Sequence, residues 1–168
     1  MKEQLIMQRI VKKIKSLGLE LGFNHIGISD LNLDHAKKPY QDWIKSNFQG
    51  DMSYLKRHSD LKFNPQKLVP KTIRIISARI DYFPNDKNTK LALKNKDQAY
   101  ISRYALGRDY HKVIRAKLKK LSSKIKDEIT NYPVKFRVFT DSAPVLEVEL
   151  AEKSGLGWRG KHTLLINK

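Results

Sequence analysis

The chain has 168 residues, 40% of them apolar, and carries 34 Lys and Arg against 17 Asp and Glu, for a formal net charge of +17. This length suffices for one domain with its own core and leaves no room for a second. The absence of cysteine excludes a disulfide framework and is compatible with a reducing cytoplasm. Residues 1–21 contain neither an uninterrupted apolar stretch nor a small-residue cleavage site, so we expect no secretory signal, no membrane span and a cytoplasmic location.

The first half of the chain predicts two helices around a strand. The first helix is indicated by apolar residues at helical spacing and ends at Gly22; its apolar face is formed by Leu5, Ile6, Ile10, Ile14, Leu17 and Leu21. A strand is predicted at His25–Ser29. The second helix is predicted over residues 34–48, with Asp34 as its cap and with Tyr40, Trp43, Ile44 and Phe48 facing inward.

The middle of the chain predicts short helical turns, a strand, a loop and a long helix. The turns are expected at Ser53–Arg57 and Pro65–Leu68, and a buried strand at residues 72–82. Residues 84–98 are rich in Asn, Asp and Lys, which predicts a mobile surface loop whose lysines could meet RNA. The longest helix should start near Arg108 or Asp109 and run to about residue 131, and a strand should follow at 134–140.

An acidic residue, Asp141, ends that last predicted strand and is followed by Ala143, Pro144 and Val145. A carboxyl group desolvated by small apolar neighbours has a raised pKa and can stay protonated near neutral pH, as a general acid must. Asp141 is therefore the first catalytic candidate. In the alternative interpretation, Asp141 or Ser142 caps a helix that has Pro144 in its first turn, with the side chain of Glu147 reaching back.

A glycine-spaced loop follows the predicted helix. Gly155, Gly157 and Gly160 end the helix and let the backbone approach a bulky ligand closely. Next to them the loop offers a flat apolar face, a cation and an imidazole, from Trp158, Lys161 and His162. These glycines are no dinucleotide fingerprint, because they follow a helix instead of opening one after a strand.

Five blocks of the chain together resemble epoxyqueuosine reductase, the cobalamin-dependent iron–sulfur enzyme family of tRNA queuosine synthesis. The blocks are GFNHIG at 22–27, DMSYLKRH at 51–58, NPQKLVP at 64–70, ISRYALGRDYHK at 101–112 and the Asp141 segment with its glycine loop at 141–163. The resemblance runs from about Leu17 to the last residue, in family order and at family spacing. It implies an α+β fold in which helices flank a mixed or largely antiparallel central sheet.

The resemblance also implies a reaction and a set of site residues. Enzymes of this family reduce the epoxide of epoxyqueuosine, at the tRNA wobble position, to the cyclopentene of queuosine, with the cobalt of cobalamin supplying the reducing power. The matching Asp141 would donate the proton to the departing oxygen. The family's corrin-contacting blocks also include Asn64, Arg103, Tyr104, Lys161, His162 and Leu165. One departure from the family is Arg159, where an apolar residue is more usual and where the packing of the loop could change.

Electrons reach the cobalt of such enzymes from two four-iron, four-sulfur clusters in a downstream ferredoxin-like domain. These clusters are held by cysteine thiolates, so a chain without cysteine cannot bind them. We therefore expect a truncated or split member of the family, a monomer that is completed by a separate ferredoxin-like chain or by a missing C-terminal half.

The net charge is open to two interpretations. It can reflect RNA binding through the phosphate backbone, or a solvated basic surface, since the excess is mostly Lys spread along the chain. The tRNA-modifying family favours RNA. The alternative function is a non-catalytic, basic RNA-binding remnant, and a third possibility is a fragment that folds but binds no ligand.

Other catalytic patterns are not supported by the sequence. The five histidines are too scattered for a zinc site, and we expect no protein-held metal. Asp109 and His111 could form a carboxylate–imidazole pair, but at the start of a helix the carboxylate is more often a cap and the imidazole a packed polar group. Ser142 lacks the glycine-flanked elbow of a hydrolase nucleophile.

Overall fold

The structure is a computed structural model that describes residues 2–82, 88–130 and 132–167. Its helices are α1 (Lys2–Glu20), α2 (Asp34–Lys45), α3 (Ser53–Arg57), α4 (Ser59–Phe63), α5 (Pro65–Leu68), α6 (Asn88–Lys94), α7 (Tyr110–Glu128) and α8 (Glu147–Lys153). Its strands are β1 (His25–Ser29), β2 (Ile75–Arg79), β3 (Trp158–Arg159) and β4 (Leu165–Ile166), and a 3₁₀ turn lies at Arg103–Ala105.

The core lies where α1 and α7 pack against the first sheet. Its buried side chains are Ile14, Leu17, Phe23, Ile26, Leu121 and Ile125. Ion pairs tie the two helices together at their exposed edges, with 2.9 Å between Lys13 Nζ and Glu128 Oε1 and 3.4 Å between Lys124 Nζ and Glu20 Oε2. Burial of the apolar stripes, rather than these exposed ion pairs, supplies most of the stability here.

The strands form two small antiparallel sheets. β1 pairs with β2 so that His25 lies opposite Arg79 and Ser29 opposite Ile75, while β3 pairs with β4. A Cβ atom on Gly27 would stand 2.5 Å from the Ser154 carbonyl oxygen, so only glycine lets β1 pack this closely on the end of α8. The predicted α+β class is confirmed, with two two-stranded sheets in place of one larger sheet.

Several predicted elements are confirmed, and others differ from the prediction in their boundaries or in their type. The first helix, His25–Ser29, both short turns and the long helix form as predicted. The predicted strand at 72–82 is shorter, at Ile75–Arg79, and Ile73 lies outside it with 74% of its surface exposed. The predicted strand at 134–140 is wrong: residues 133–139 have no regular secondary structure, although Phe136 packs against the core.

The prediction for the second helix needs two corrections. Its cap is not Asp34, which is the first helical residue; Asn32 Oδ1 instead accepts the Asp34 N–H at 3.0 Å. The helix also ends at Lys45, so that Phe48 falls outside it and is 69% exposed. Tyr40 is oriented inward as predicted, and its hydroxyl donates to the Leu55 carbonyl at 2.9 Å.

Part of the predicted loop at 84–98 is helical. Residues Asn88–Lys94 form α6, whose Leu91 and Leu93 are 67% and 60% exposed. The short run of helix formers TKLALK outweighs the turn residues on either side. Residues 83–87 lie outside the described residues, and the mobility of the segment stays a prediction. None of the helices that the structure describes combines the length and apolarity needed to cross a membrane.

We expect Ile125→Ala to lower the free energy of unfolding by about 2–5 kcal/mol, because it removes a core side chain that is only 1% exposed and leaves a cavity. Urea unfolding of the purified chain measures this change. The matched control is Ile73→Ala at a 74% exposed position, where we expect a change below about 0.5 kcal/mol. Equal losses in the two variants would contradict the assignment of the core.

Candidate functional site

Asp141 follows the irregular segment that leaves the core and precedes α8. Its backbone has φ of 55°, a left-handed conformation that is uncommon for a residue other than glycine. Its side chain is 50% exposed, so the expected desolvation of this carboxyl group by its small apolar neighbours is wrong. The carboxylate instead lies at an accessible surface, where its environment comes mainly from α7 and from the start of α8.

The first turn of α7 holds the Asp141 carboxylate. The Tyr110 hydroxyl donates a short hydrogen bond to Asp141 Oδ2, and His111 Nε2 lies 3.5 Å from the same oxygen. The other ring nitrogen of His111, Nδ1, lies 3.0 Å from Asp109 Oδ1, which also accepts the His111 backbone N–H at 2.9 Å. The hydrogen bond to Asp141 raises the pKa of Tyr110 to about 12, so Tyr110 remains a donor at neutral pH.

Asp109 thus caps α7, as the structural interpretation of the sequence predicts. The His111 imidazole is more than a packed polar group, because its two ring nitrogens lie between the cap residue Asp109 and the Asp141 carboxylate. Sequence reasoning missed this link, since residues 109–111 and 141 are about thirty positions apart. The one available signal was that both segments fall in blocks of the same family resemblance.

Glu147 approaches Asp141 from the other side. It is the first residue of α8, and its Oε1 accepts the Asp141 backbone N–H at 3.1 Å. Burial raises the pKa of Glu147 to about 7, and the negative charge of Asp141 acts in the same direction. The interpretation of Asp141 or Ser142 as a helix cap is wrong, because Leu146 is the cap residue and no side chain bonds there. The predicted reach of Glu147 back towards Asp141 is found.

An aromatic row extends from Asp141 across the surface. The Tyr110 ring stacks on the His111 ring at 4.0 Å between centroids and meets the edge of the Tyr104 ring at 6.0 Å. Tyr104 in turn meets Tyr82 at 6.5 Å, and these two outer rings are 54% and 61% exposed. Tyr104, one of the binding residues that the family resemblance implies, therefore lies near Asp141, together with Tyr82, which the sequence analysis did not name.

The remaining predicted binding residues lie in three other places. Arg103 donates to Thr89 Oγ1 at 2.6 Å, next to Tyr104 in the chain. Asn64 bonds to Asp60, where its amide donates to the carbonyl and the carboxylate at 2.9 and 2.8 Å. Lys161 and His162 are exposed in the turn between β3 and β4, and Leu165 is half-buried in β4. Within the described residues, no hydrogen bond or ion pair joins Asn64, Lys161 or His162 to Asp141.

Arg159 is accommodated by an ion pair. Its guanidinium donates to Glu149 Oε1, and its backbone N–H donates to Glu152 Oε1 at 2.9 Å. Glu149 is largely buried and also lies 3.6 Å from His35 Nε2. The arginine therefore ties the β3–β4 pair to α8, in a different way from the apolar packing expected at this position.

Two cavities occur elsewhere in the molecule. One, of about 190 Å³, lies between α1 and α7 and is lined mainly by apolar side chains. The other, of about 260 Å³, lies along α7 and is lined by Arg108, Lys112, Val113, Ala116, Lys117 and Lys120. Neither of these two cavities is lined by Asp141 or Tyr104. Among the described residues no group of three or more His, Cys, Asp or Glu side chains could hold a metal ion.

The second cavity, called the α7 groove below, is lined mainly by basic side chains. Arg108, Lys112 and Lys120 are exposed, and within the described residues none of them has an acidic partner. Lys117 lies deeper, above the Phe23 ring.

The chain is similar to known proteins over its whole length. Residues 62–142 match the family model described as "Epoxyqueuosine reductase QueG, DUF1730". The chain is 45% identical to the epoxyqueuosine reductase of Escherichia coli K12 over 168 residues, which is all of this chain and 44% of that protein. It is 46% identical to the Pseudomonas aeruginosa enzyme over 95% of this chain and 44% of that protein. The chain thus spans less than half the length of these relatives.

Solved structures show the same fold. The structure of epoxyqueuosine reductase from Streptococcus thermophilus matches with a TM-score of 0.71 at 22% identity, over 92% of this chain and 41% of that one. A crystal structure of epoxyqueuosine reductase with a tRNA-Tyr epoxyqueuosine-modified stem loop matches with a TM-score of 0.63 at 20% identity, over 96% of this chain and 41% of that one.

We expect the stability of the chain to fall as the pH rises from about 4.5 to about 7, relative to that of Glu147→Gln. The folded state holds the Glu147 proton up to about pH 7 whereas the unfolded state releases it near 4.5, so ionisation in this window favours unfolding. The difference in free energy of unfolding should reach about 3 kcal/mol. Urea unfolding at several pH values measures it.

The control for this prediction is Glu128→Gln, which removes an exposed carboxylate that pairs with Lys13. Its pH dependence should differ little from that of the unsubstituted chain. Parallel stability curves for the unsubstituted chain and Glu147→Gln would contradict the raised pKa of Glu147.

Proposed function

Because the chain belongs to the epoxyqueuosine reductase family, we propose that it forms the part of such an enzyme that presents a proton donor, Asp141, to the epoxide of the modified tRNA base. The observation that supports this proposal is the convergence of Tyr110 and His111 on the half-exposed carboxyl group of Asp141. A carboxyl group held from several sides, with one face open to solvent, is suited to reach a bound substrate.

The proposed reaction converts an epoxide to an alkene and water, which takes up two electrons and two protons. The contribution of this chain is the proton that the oxygen receives as its carbon–oxygen bond breaks, delivered from the Asp141 carboxyl. Tyr110 and His111 hold Oδ2, and their contacts set the direction of the carboxyl plane. A general acid in such a position contributes about 10²–10⁴-fold to the rate.

We propose cobalamin as the cofactor of this site. The exposed rings of Tyr82 and Tyr104 meet edge to face near Asp141 and offer apolar contact area to a large ligand. The residues that would hold it are Asn64, Arg103, Tyr104, Asp141, Lys161, His162 and Leu165, and their amide, guanidinium, ammonium and imidazole groups suit a ligand rimmed by amides. When bound, cobalamin supplies the reducing power. Iron–sulfur clusters would come from another polypeptide segment, since these 168 residues contain no cysteine.

We further propose that tRNA lies along the α7 groove. A related structure contains a tRNA stem loop, and the net charge of +17 would draw the phosphate backbone to this chain. A tRNA-modifying role would place the protein in the cytoplasm. The competing function is RNA binding without catalysis, which the same basic groove would support.

We expect the purified chain to change the visible spectrum of added cobalamin, and Tyr104→Ala to weaken this binding at least tenfold by removing the exposed ring. Asp141→Asn should bind cobalamin within about twofold of the unsubstituted chain. In an enzyme reconstituted with the cluster-bearing part, Asp141→Asn should lower turnover by about 10²–10⁴-fold. Normal turnover by that variant would remove Asp141 from the mechanism, and an unchanged spectrum would favour the non-catalytic RNA-binding function.

We expect Lys112→Glu combined with Lys120→Glu to weaken binding of an anticodon stem loop at least tenfold and to reduce its salt dependence, because both charges lie in the α7 groove. Fluorescence anisotropy over a salt series measures both effects. The matched control is Lys12→Glu with Lys15→Glu on the exposed side of α1, which changes the net charge equally. Equal weakening by the control would indicate diffuse attraction and contradict binding in the groove.

A further inference from the structure

The carboxyl group of Glu147 has no part in the function proposed so far. Burial raises the pKa of the Glu147 carboxyl group, whereas the pKa values of Asp30, Asp60 and Asp109 are lowered by their hydrogen-bond partners. Glu147 also lies in direct contact with the proposed proton donor. A half-buried acid with a raised pKa at a candidate site is itself a candidate functional residue.

The contact is made with the backbone of Asp141. A φ of 55° is uncommon for residues other than glycine, so the backbone conformation of Asp141 needs a stabilising contact. Glu147 Oε1 accepts the Asp141 N–H at 3.1 Å. This hydrogen bond spans six positions of the chain and closes the loop that carries Ser142, Ala143 and Pro144. The hydrogen bond from the Asp141 N–H to Glu147 therefore helps to hold the left-handed backbone of Asp141.

The other ionisable groups of the site contact the Asp141 side chain or the residues next to it, and not the Asp141 backbone N–H. Tyr110 and His111 contact Asp141 Oδ2, and Asp109 contacts His111. Arg115 donates to the Ser142 hydroxyl at 3.0 Å. Among the described residues, Asp141 is the ionisable group that acts on Glu147. The two carboxyl groups therefore form a pair in which one member is half-buried and the other is half-exposed.

We infer that Glu147 is a positioning residue of this site, which fixes the Asp141 loop through the Asp141 N–H and holds a proton beside the Asp141 carboxylate. This role rests on the proposed function of Asp141 as proton donor. When Asp141 has released its proton, the O–H bond on Glu147 breaks as a new one forms on Asp141. Glu147 is left as a carboxylate and is reprotonated by a hydronium ion or a buffer acid from the solvent, so that charge and atoms balance without any oxidant or reductant.

The test is nuclear magnetic resonance of the isolated chain, which needs neither cofactor nor turnover. The Asp141 amide resonance should shift with a midpoint of about pH 7, because it bonds to the carboxyl group that titrates there. In Glu147→Gln the amide should stay protected from hydrogen exchange while the neutral-pH shift disappears, since glutamine keeps the acceptor and loses the titration. In Glu147→Ala exchange of the Asp141 amide should become at least tenfold faster.

The control variant Glu128→Gln should leave the Asp141 titration unchanged, because this carboxylate pairs with Lys13 away from the site. An Asp141 amide that does not titrate near neutral pH, or that titrates equally in Glu147→Gln, overturns the inference while cobalamin and tRNA binding can still support the proposed function. A normal amide titration in a chain that binds neither cobalamin nor tRNA overturns the proposed function, and with it the role of Glu147 in proton delivery.

Discussion

The packing of α7 against α1 and the β1–β2 pair is the constraint on which the site depends. The C-terminal half of α7 buries Leu121 and Ile125 in the core, while its first turn carries Tyr110 and His111. A helix of 19 residues is stiff, so burial at one end fixes the position of side chains at the other. Asp141 is therefore held from a rigid element even though its own segment has no regular structure.

The carboxyl groups of Asp141 and Glu147 are of the same chemical type but differ in their surroundings. Asp141 is half-exposed and accepts a hydrogen bond from Tyr110, whereas Glu147 is half-buried at the start of α8. Burial disfavours the charged form, so the raised pKa of Glu147 keeps this carboxyl group protonated to a higher pH than an ordinary glutamate.

The site lies on an open surface, since the side chain of Asp141 is 50% exposed and Tyr82 and Tyr104 are also exposed. The basic α7 groove, with Arg108, Lys112 and Lys120 exposed, is a second open surface. These are the two surfaces that we propose for the cofactor and for the RNA backbone.

The sequence alone determined the periodic elements and the site blocks. Local signals could be identified without the tertiary structure; they are the apolar spacing in α1 and α7, the glycine that ends α8 and the cap at Asp109. Tertiary structure decided the rest: the segment before Asp141 is rich in β-forming residues but pairs with no strand, and Asp141 is exposed where its apolar neighbours predicted burial. The links from Tyr110, His111 and Glu147 to Asp141 also came from the fold, because hydrogen bonds between distant segments depend on where packing places them.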